Sequence, residues 1–476
     1  MTMKKTHDVI VIGAGAGGLT AAGGCAMLGL NAALIERGEM GGDCLNSGCV
    51  PSKAIIAAAH RAHDFRDAAK FGIEAAEPKV DFPVVHKHIH DAIATIAPED
   101  SQERFEEMGV EVIRGEAKML SDRDVEVNGR TLTAPRIVLA VGSKPFVPPI
   151  DGLDGVNYLT NESLWELKEL PDHLIVLGAG PIGLEMAHAF RRLGSEVTVL
   201  SRDAPFAKDD PEAAAIAIQN IEAEGVKILA GADIGSVANE DGNIAVTYSV
   251  KDGDGGTVKG SHLLVATGRT TNFDGLGLEA AGIKYGRGGI EVDARRRTNK
   301  KHIYAIGDCR PGPQFTHVSG YEGSNVVLEI GFGLPTKVDF KALPWVTYTD
   351  PEVAQVGMTE AQAREQYGDK ITVWREDFSH NDRAIAEAER TGFVKVVKKG
   401  GKVLGATIIG RGAGDLLLPW AMAIQGKSSA FGMASLILPY PNRSEHNKAA
   451  AFASYDSLIF NDWTKKWARF RASLRS

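Results

Sequence analysis

Residues 7–18 read HDVIVIGAGAGG: a short run dominated by β-branched residues broken abruptly by glycines at positions 13, 15 and 18. The run His7 to Ile12 has strand composition, and an alanine-rich helical stretch follows to Leu28. A second strand then ends at Glu36, 18 residues past Gly18. In this strand–turn–helix setting Gly13 makes the tight turn, Gly15 lets backbone approach a pyrophosphate, and Gly18 lets helix pack on strand. The helix N-terminus supplies positive partial charge, and Glu36 is placed to take a ribose hydroxyl pair. The pattern recurs at residues 173–183, HLIVLGAGPIG, with Gly178, Gly180 and Gly183 in the same spacing, a helix to Leu193 and a strand from Glu196 to Leu200. Two βαβ units with two fingerprints predict two bound dinucleotides.

Working outward, 476 residues suit about three domains, large enough to need no disulfide scaffold. Four cysteines (Cys25, Cys44, Cys49, Cys309) without repeated spacing do not form a secreted framework. A net charge of −8 argues against nucleic acid as the main partner. No run of 18 apolar residues is present, which excludes a spanning helix. The start MTMKKTHDVIVIGAG ends in glycines, not a cleavage-type site, so a cytoplasmic location is expected. The end departs from the acidic balance. After Asp462 come Lys465, Lys466, Arg469, Arg471 and Arg475 with no acid, and Trp463, Trp467, Phe470 and Leu474 recur at helical spacing. The expectation is that this stripe docks on the body of the protein, the alternative being contact with an anionic membrane surface.

Two further strand ends carry glycine turns, LAVGS (139–143, with Gly142) and VATGR (265–269, with Gly268), and IYAIGDC runs into Gly307 and Asp308. From Leu343 alternating strands followed by helical stretches predict a separate α+β domain. Residues 81–109 look helical and polar; only His86 and His90 of the three histidines there share a face, with nothing to complete a metal site, and they are expected to be solvated.

GGDCLNSGCVPSK (41–53) holds Cys44 and Cys49. The spacing is not that of zinc sites, and no second ligand pair is present. Proline in a first turn followed by alanines predicts a helix beginning near Cys49. A thiol there is stabilised as thiolate by the helix dipole, and Lys53 adds positive charge on the same face. Cys49 is thus the expected resident thiolate, with Cys44, on the preceding loop, exposed for exchange.

Taken in order, GAGAGG with Glu36, GGDCLNSGCVPSK, GAGPIGLE, VATGR, IYAIGDC, TYTDPEVAQVG and YPNRSE resemble the flavin-dependent pyridine nucleotide-disulfide oxidoreductases over essentially the whole chain. The resemblance implies an α/β fold: two Rossmann-like dinucleotide-binding domains, for FAD (1–150) and NAD(P)H (151–270), a return to the FAD or central region (271–340), and an α+β dimerisation domain (341–476). It implies a homodimer whose C-terminal domain completes the partner's site, with Asp308 on the ribityl chain, Gly42, Ala117, Gly142 and Thr316 near FAD, and Lys53 paired with Glu185. It also implies a redox-active Cys44–Cys49 disulfide. Electrons would pass from NAD(P)H through FAD to the Cys49 sulfur, and Cys44 would then meet a small disulfide, metal-ion or other acceptor. No resident metal site is expected.

Ser201 stands where an acid would bind the ribose hydroxyls of NADH, and Arg202 follows it, with Lys208 beyond. Loss of the acid beside a guanidinium favours NADPH, with NADH as the alternative. Relatives end in a His-Pro pair with Ser-Glu; here Tyr440 precedes Pro441, and Glu445 is retained. A phenol, at a reference pKa of ~10 against ~6.5 for imidazole, is a poor base at neutral pH. His446 would point about 100° away from Glu445. No cysteine follows Cys309 to hand over a metal, no N-terminal metal-binding domain is recognisable, and Asp43 and Ser47 replace a usual threonine and valine. The expected activity is therefore of mercuric reductase or dihydrolipoyl dehydrogenase type. Its alternatives are a true NAD-dependent dihydrolipoyl dehydrogenase and a flavoprotein redox sensor that does not turn over.

Overall fold

The computed structural model describes residues 5–74, 77–251, 253, 255–455 and 459–474. Two compact units are present: Met1–Gly178, Arg192–Val197 and Asp233–Val338 form the first; Ala179–Arg191, Thr198–Ala232 and Asp339–Ser476 form the second.

The first unit is built on a parallel five-stranded sheet in the order Ile303–Ala305, Arg136–Leu139, Val9–Ile12, Ala32–Glu36, Val110–Arg114. Its central strand Val9–Ile12 is continuously apolar because both faces are covered, whereas the edge strand Val110–Arg114 carries Glu111 and Arg114. Alternate residues go to opposite sides. Val9 and Val11 join Leu34, Val112, Val138 and Tyr304 in a core containing the helix Ala16–Met27, while Ile10 and Ile12 join Ile35, Ile137, Leu139 and Ile303 in the other. The strand His173–Leu177 pairs in parallel with His262–Val265, which pairs with Tyr158–Leu159.

The repeat seen in the sequence has a matching physical cause. At Gly13 (φ +103°) an added Cβ would lie 2.4 Å from the carbonyl oxygen of Ala140, and at Gly178 (φ +107°) 2.5 Å from that of Ala266. Both turns therefore drive backbone against backbone at the end of the neighbouring strand. At Gly18 a Cβ would fall 1.8 Å from the Gly13 oxygen. The middle glycines differ: at Gly15 and at Gly180 a Cβ would meet nothing within 4 Å. At Gly13, Gly18 and Gly178 close packing against backbone leaves no room for a side chain, whereas Gly15 and Gly180 meet no such contact.

The second unit contains an antiparallel sheet in the order Pro344–Thr347, Glu352–Gly357, Lys402–Gly410, Phe393–Lys399, Thr372–Asp377. The helices Leu418–Ile424, Ala430–Ala434 and Glu445–Ala453 contribute Trp420, Met433 and Ala450 to a core that includes Val394, Ala406 and Ile408 of the sheet. No helix among the described residues is long and apolar enough to cross a membrane.

Two expectations are corrected. His86 and His90 are half-buried rather than solvated: their rings lie 4.3 Å apart, and His90 Nε2 is 3.2 Å from the Trp165 carbonyl oxygen. The helix Asp462–Ser473 forms, but none of its residues is buried, so its apolar stripe does not dock on the protein.

Gly13→Ala adds both a left-handed-region strain and a backbone clash, and is expected to destabilise the first unit by about 3 kcal/mol. Gly29→Ala, with a similar φ of +78° but open space around it, is expected to cost about 1 kcal/mol. Denaturant midpoints of the two variants measure the difference.

Candidate functional site

The helix Cys49–Asp67 begins at Cys49, with Gly48 as its N-cap, and Cys44 sits in a short helix, Gly42–Asn46, instead of a loop. Gly41 and Gly42 (φ +86° and +60°) permit the tight entry, and a Cβ on Gly42 would lie 2.7 Å from the Gly15 Cα. The redox segment is thereby pressed onto the first glycine turn.

Both sulfurs are thiols in this structure. The hydrogen bond from the Cys44 thiol is the largest influence on Cys49; with a second contact to Thr316 Oγ1 at 3.3 Å and the Lys53 charge, it brings the Cys49 pKa down to about 6, against the opposing effect of protein packed around the sulfur. The same bond, with burial, pushes Cys44 up, so that it keeps its proton. Thr316 opens the helix Thr316–Phe332. Exposure runs opposite to expectation: Cys49 is exposed and Cys44 half-buried. Cys44 instead lines a cavity of about 680 Å³ together with Leu45, Val50, Asp100, Thr316 and Val327.

Around the pair lies a polar network the sequence did not reveal. Arg269 Nη2 is 3.1 Å from Asp43 Oδ2, and Arg269 Nε donates to Ser143 Oγ at 2.7 Å. Ser143 Oγ in turn donates to Asp308 Oδ2 at 2.8 Å, and burial raises the Asp308 carboxyl above its ordinary range. Asp43 Oδ1 also accepts from Ser47 Oγ at 2.7 Å and Asn161 Nδ2 at 3.0 Å, while Trp165 Nε1 donates to the Ser47 carbonyl at 3.0 Å. Arg269 follows Gly268 in VATGR, a signal that was available; Asn161 and Trp165 lie in unpatterned sequence.

The residues expected to hold FAD fit a long, anionic group. Gly15 faces open space at the start of its helix. Glu36 accepts from the Ala14 and Gly38 amides, each at 2.6 Å, which fixes its carboxylate at the end of its strand. A small cavity of about 70 Å³ is lined by Gly13, Glu36, Ala117 and Val141. Gly142 (φ +68°) and Gly268 (φ +132°) sit at the two other strand ends.

In the second unit Gly183 lies in the helix Pro181–Leu193 and Glu185, also in it, accepts from the Tyr348 amide at 2.9 Å. Ser201 is buried at the end of its strand, whereas Arg202 and Lys208 are exposed. Tyr440 is 70% exposed and donates to Asp382 Oδ2 at 2.6 Å, a bond that raises the phenol above its ordinary pKa. Glu445 accepts from the Asn442 amide at 3.3 Å. His446 is buried, its ring stacked 4.6 Å from Phe378, and burial lowers its pKa. Among the described residues no cluster of His, Cys, Asp and Glu could hold a metal ion.

Comparison with known proteins agrees with this geometry. The family description "Pyridine nucleotide-disulphide oxidoreductase" matches residues 7–323, and its dimerisation domain matches 343–451. The chain is 37% identical to the mercuric reductase of Streptomyces lividans, over 94% of this chain and 95% of that protein. It is 35% identical to the dihydrolipoyl dehydrogenase of Geobacillus stearothermophilus, over 93% and 95%. Similar solved structures include LpdA from Mycobacterium tuberculosis (TM-score 0.86, 29% identity, 94% of this chain and 99% of that one). Another is the Cu(II) complex of the HOCl-induced flavoprotein disulfide reductase RclA from Escherichia coli (TM-score 0.83, 27% identity, 95% and 100%).

Alkylation of Cys49 by iodoacetamide is expected to follow a pH midpoint of about 6, against ~8.5 for an unperturbed thiol. Cys44→Ala is expected to raise the midpoint most, Thr316→Val less, and Asp43→Asn to lower it. Mass-spectrometric rates across pH check the order.

Proposed function

Because the chain belongs to the class I pyridine nucleotide-disulfide oxidoreductases, enzymes that use FAD and NAD(P)H, we propose that it takes electrons from NADPH and passes them to the Cys44–Cys49 pair and on to a small disulfide or a soft metal ion. The observation that carries this is the shared hydrogen bond between the two sulfurs, with Cys49 held near a pKa of about 6 at a helix N-terminus. Bound FAD supplies the two-electron relay between nicotinamide and sulfur. The chain's own residues handle the rest. Two electrons and one proton open the Cys44–Cys49 disulfide, leaving Cys49 as thiolate and Cys44 as thiol. The Cys44 thiol, at the cavity, then attacks the acceptor while its proton moves to the hydrogen-bonded Cys49 sulfur, which serves as the base in place of a histidine. With a disulfide acceptor this attack breaks the acceptor's S–S bond and releases the first thiolate; Cys49 then attacks the Cys44 sulfur as its proton passes to the second thiolate, so the Cys44–Cys49 bond re-forms and the second thiol leaves. A soft metal ion held between the two sulfurs instead takes both electrons as that bond re-forms, and the proton passes to water.

In this reading residues 1–150 bind FAD, 151–270 NADPH and 341–476 form the dimer, and Lys53 and Glu185 pair beside the flavin. The C-terminal domain of one copy brings Tyr440 and Glu445 to the cysteines of the other. The relatives named mercuric reductase support the metal-ion side, since a dithiol suits soft metals. A true dihydrolipoyl dehydrogenase reading is disfavoured by Tyr440, whose phenol is tied to Asp382 and too weak a base.

Turnover with a panel of disulfides, soft metal ions and quinones, using NADH and NADPH in turn, tests the proposal; reduction of none of them faster than oxygen sinks the enzyme reading. For the nucleotide, Arg202→Ala is expected to raise KM for NADPH about tenfold, the equivalent of ~1.4 kcal/mol, with KM for NADH nearly unchanged. Equal effects on both would remove the phosphate role from Arg202.

A further inference from the structure

The helix Asp462–Ser473 is well formed, and none of its residues is buried. Its start is fixed locally, with Asn461 Oδ1 accepting from the Thr464 amide at 3.0 Å. At about 100° per residue, Trp463, Trp467, Phe470 and Leu474 fall within an arc of roughly 60°. All four are exposed, at 70%, 51%, 51% and 63%. The rings line up along the helix, Trp463 on Trp467 with centroids 6.1 Å apart and planes 3° from parallel, and Trp467 against Phe470 at 5.6 Å. Lys466 and Arg471 flank the stripe on either side, and Lys465 and Arg469 lie behind it. The segment carries no acid after Asp462 in a chain whose net charge is −8.

We propose that this helix lies flat on an anionic lipid surface, with the indoles and phenyl ring in the headgroup boundary and the lysines and arginines against lipid phosphates. Charge complementarity decides the occupant. Cations immediately beside an apolar stripe suit a bilayer interface, where their stems lie along the apolar layer and their heads reach the phosphates. Tryptophan is the residue enriched at that depth. A protein–protein interface core is instead depleted of lysine, and a stable one covers ~800 Å² per partner, more than one stripe of a three-turn helix supplies. Only the Asp462–Ser473 helix and its neighbours are involved, so the proposal stands apart from the redox reading.

The test is co-sedimentation of the full-length FAD-loaded protein with vesicles of phosphatidylcholine alone or with about one quarter phosphatidylglycerol. Expected are binding to the anionic vesicles at least ~10-fold stronger than to neutral ones, and weakening as salt rises from about 0.05 to 0.5 M. The variant W463S/W467S/F470S is expected to abolish binding with unfolding midpoint and turnover unchanged, since none of the three side chains is buried. A blue shift of tryptophan emission on anionic vesicles, absent in the triple variant, reports the same insertion. The proposal is overturned if the wild-type protein stays in the supernatant, or if the triple variant binds like wild type. A dissociated dimer in the triple variant, by size-exclusion chromatography, would also overturn it and assign the stripe to contact between copies.

Discussion

The contact on which the first unit depends is between two pieces of backbone. Gly13 places its Cα where any side chain would strike the carbonyl of Ala140, and Gly178 does the same against Ala266. At Gly13 the close approach ties the start of the helix Ala16–Met27 to the end of the adjacent parallel strand. That apposition forms a shelf at the carboxyl ends of the strands, where open sheets of this type bind ligands. The Gly42–Gly15 approach rests the redox segment on the same shelf. A single steric condition thus positions both the first glycine turn and the cysteines, which explains why a segment some thirty residues downstream in sequence can be held against that turn.

This condition was legible in the sequence because it is local. The spacing of Gly13, Gly15 and Gly18 and its repeat at Gly178, Gly180 and Gly183 encode the turn, and the proline after Cys49 marks a helix start. Hidden features were those fixed by tertiary contacts. Nothing near Asp43 announces that Arg269 and Asn161 meet its carboxylate from more than a hundred residues away. The exposure of the two sulfurs was misjudged for the same reason: Cys44 lies in a turn of helix whose side is covered, and burial of one side of so short an element is not written in its own residues. The solvation of His86 and His90 failed likewise, since Trp165 arrives from another segment. For the tail helix the amphipathic pattern was readable, but a pattern states only that a face is apolar, not what covers it.

Tyr440 shows how a local substitution redistributes chemistry. Removing an imidazole from the dimerisation domain takes away the group that would titrate near neutrality. The phenol in its place donates to Asp382 and moves further from titration. The adjacent His446 offers no rescue, because its ring packs on Phe378 inside the domain core. In the proposed reaction the proton is then handled by the cysteine pair, whose two sulfurs share a hydrogen bond and shift in opposite directions.

Asp43 works against that arrangement, since a carboxylate beside the pair raises the pKa of both thiols. Its partners resolve the conflict. Arg269 takes one carboxylate oxygen, and Ser47 and Asn161 take the other, so the negative charge is spread over fixed donors instead of facing the sulfurs alone. Arg269 also reaches Ser143 and, through it, Asp308, so the ends of three separate strands and the redox segment share one hydrogen-bonded chain. The residual repulsion is outweighed by the Cys44 and Thr316 hydrogen bonds and the Lys53 charge, leaving Cys49 near a pKa of about 6. Such a balance makes the acid a positioning group: through Arg269 it ties the segment of Cys44 and Cys49 to the strand ends at Ser143 and Asp308, at the cost of a Cys49 thiol less acidic than Cys44, Thr316 and Lys53 would otherwise produce.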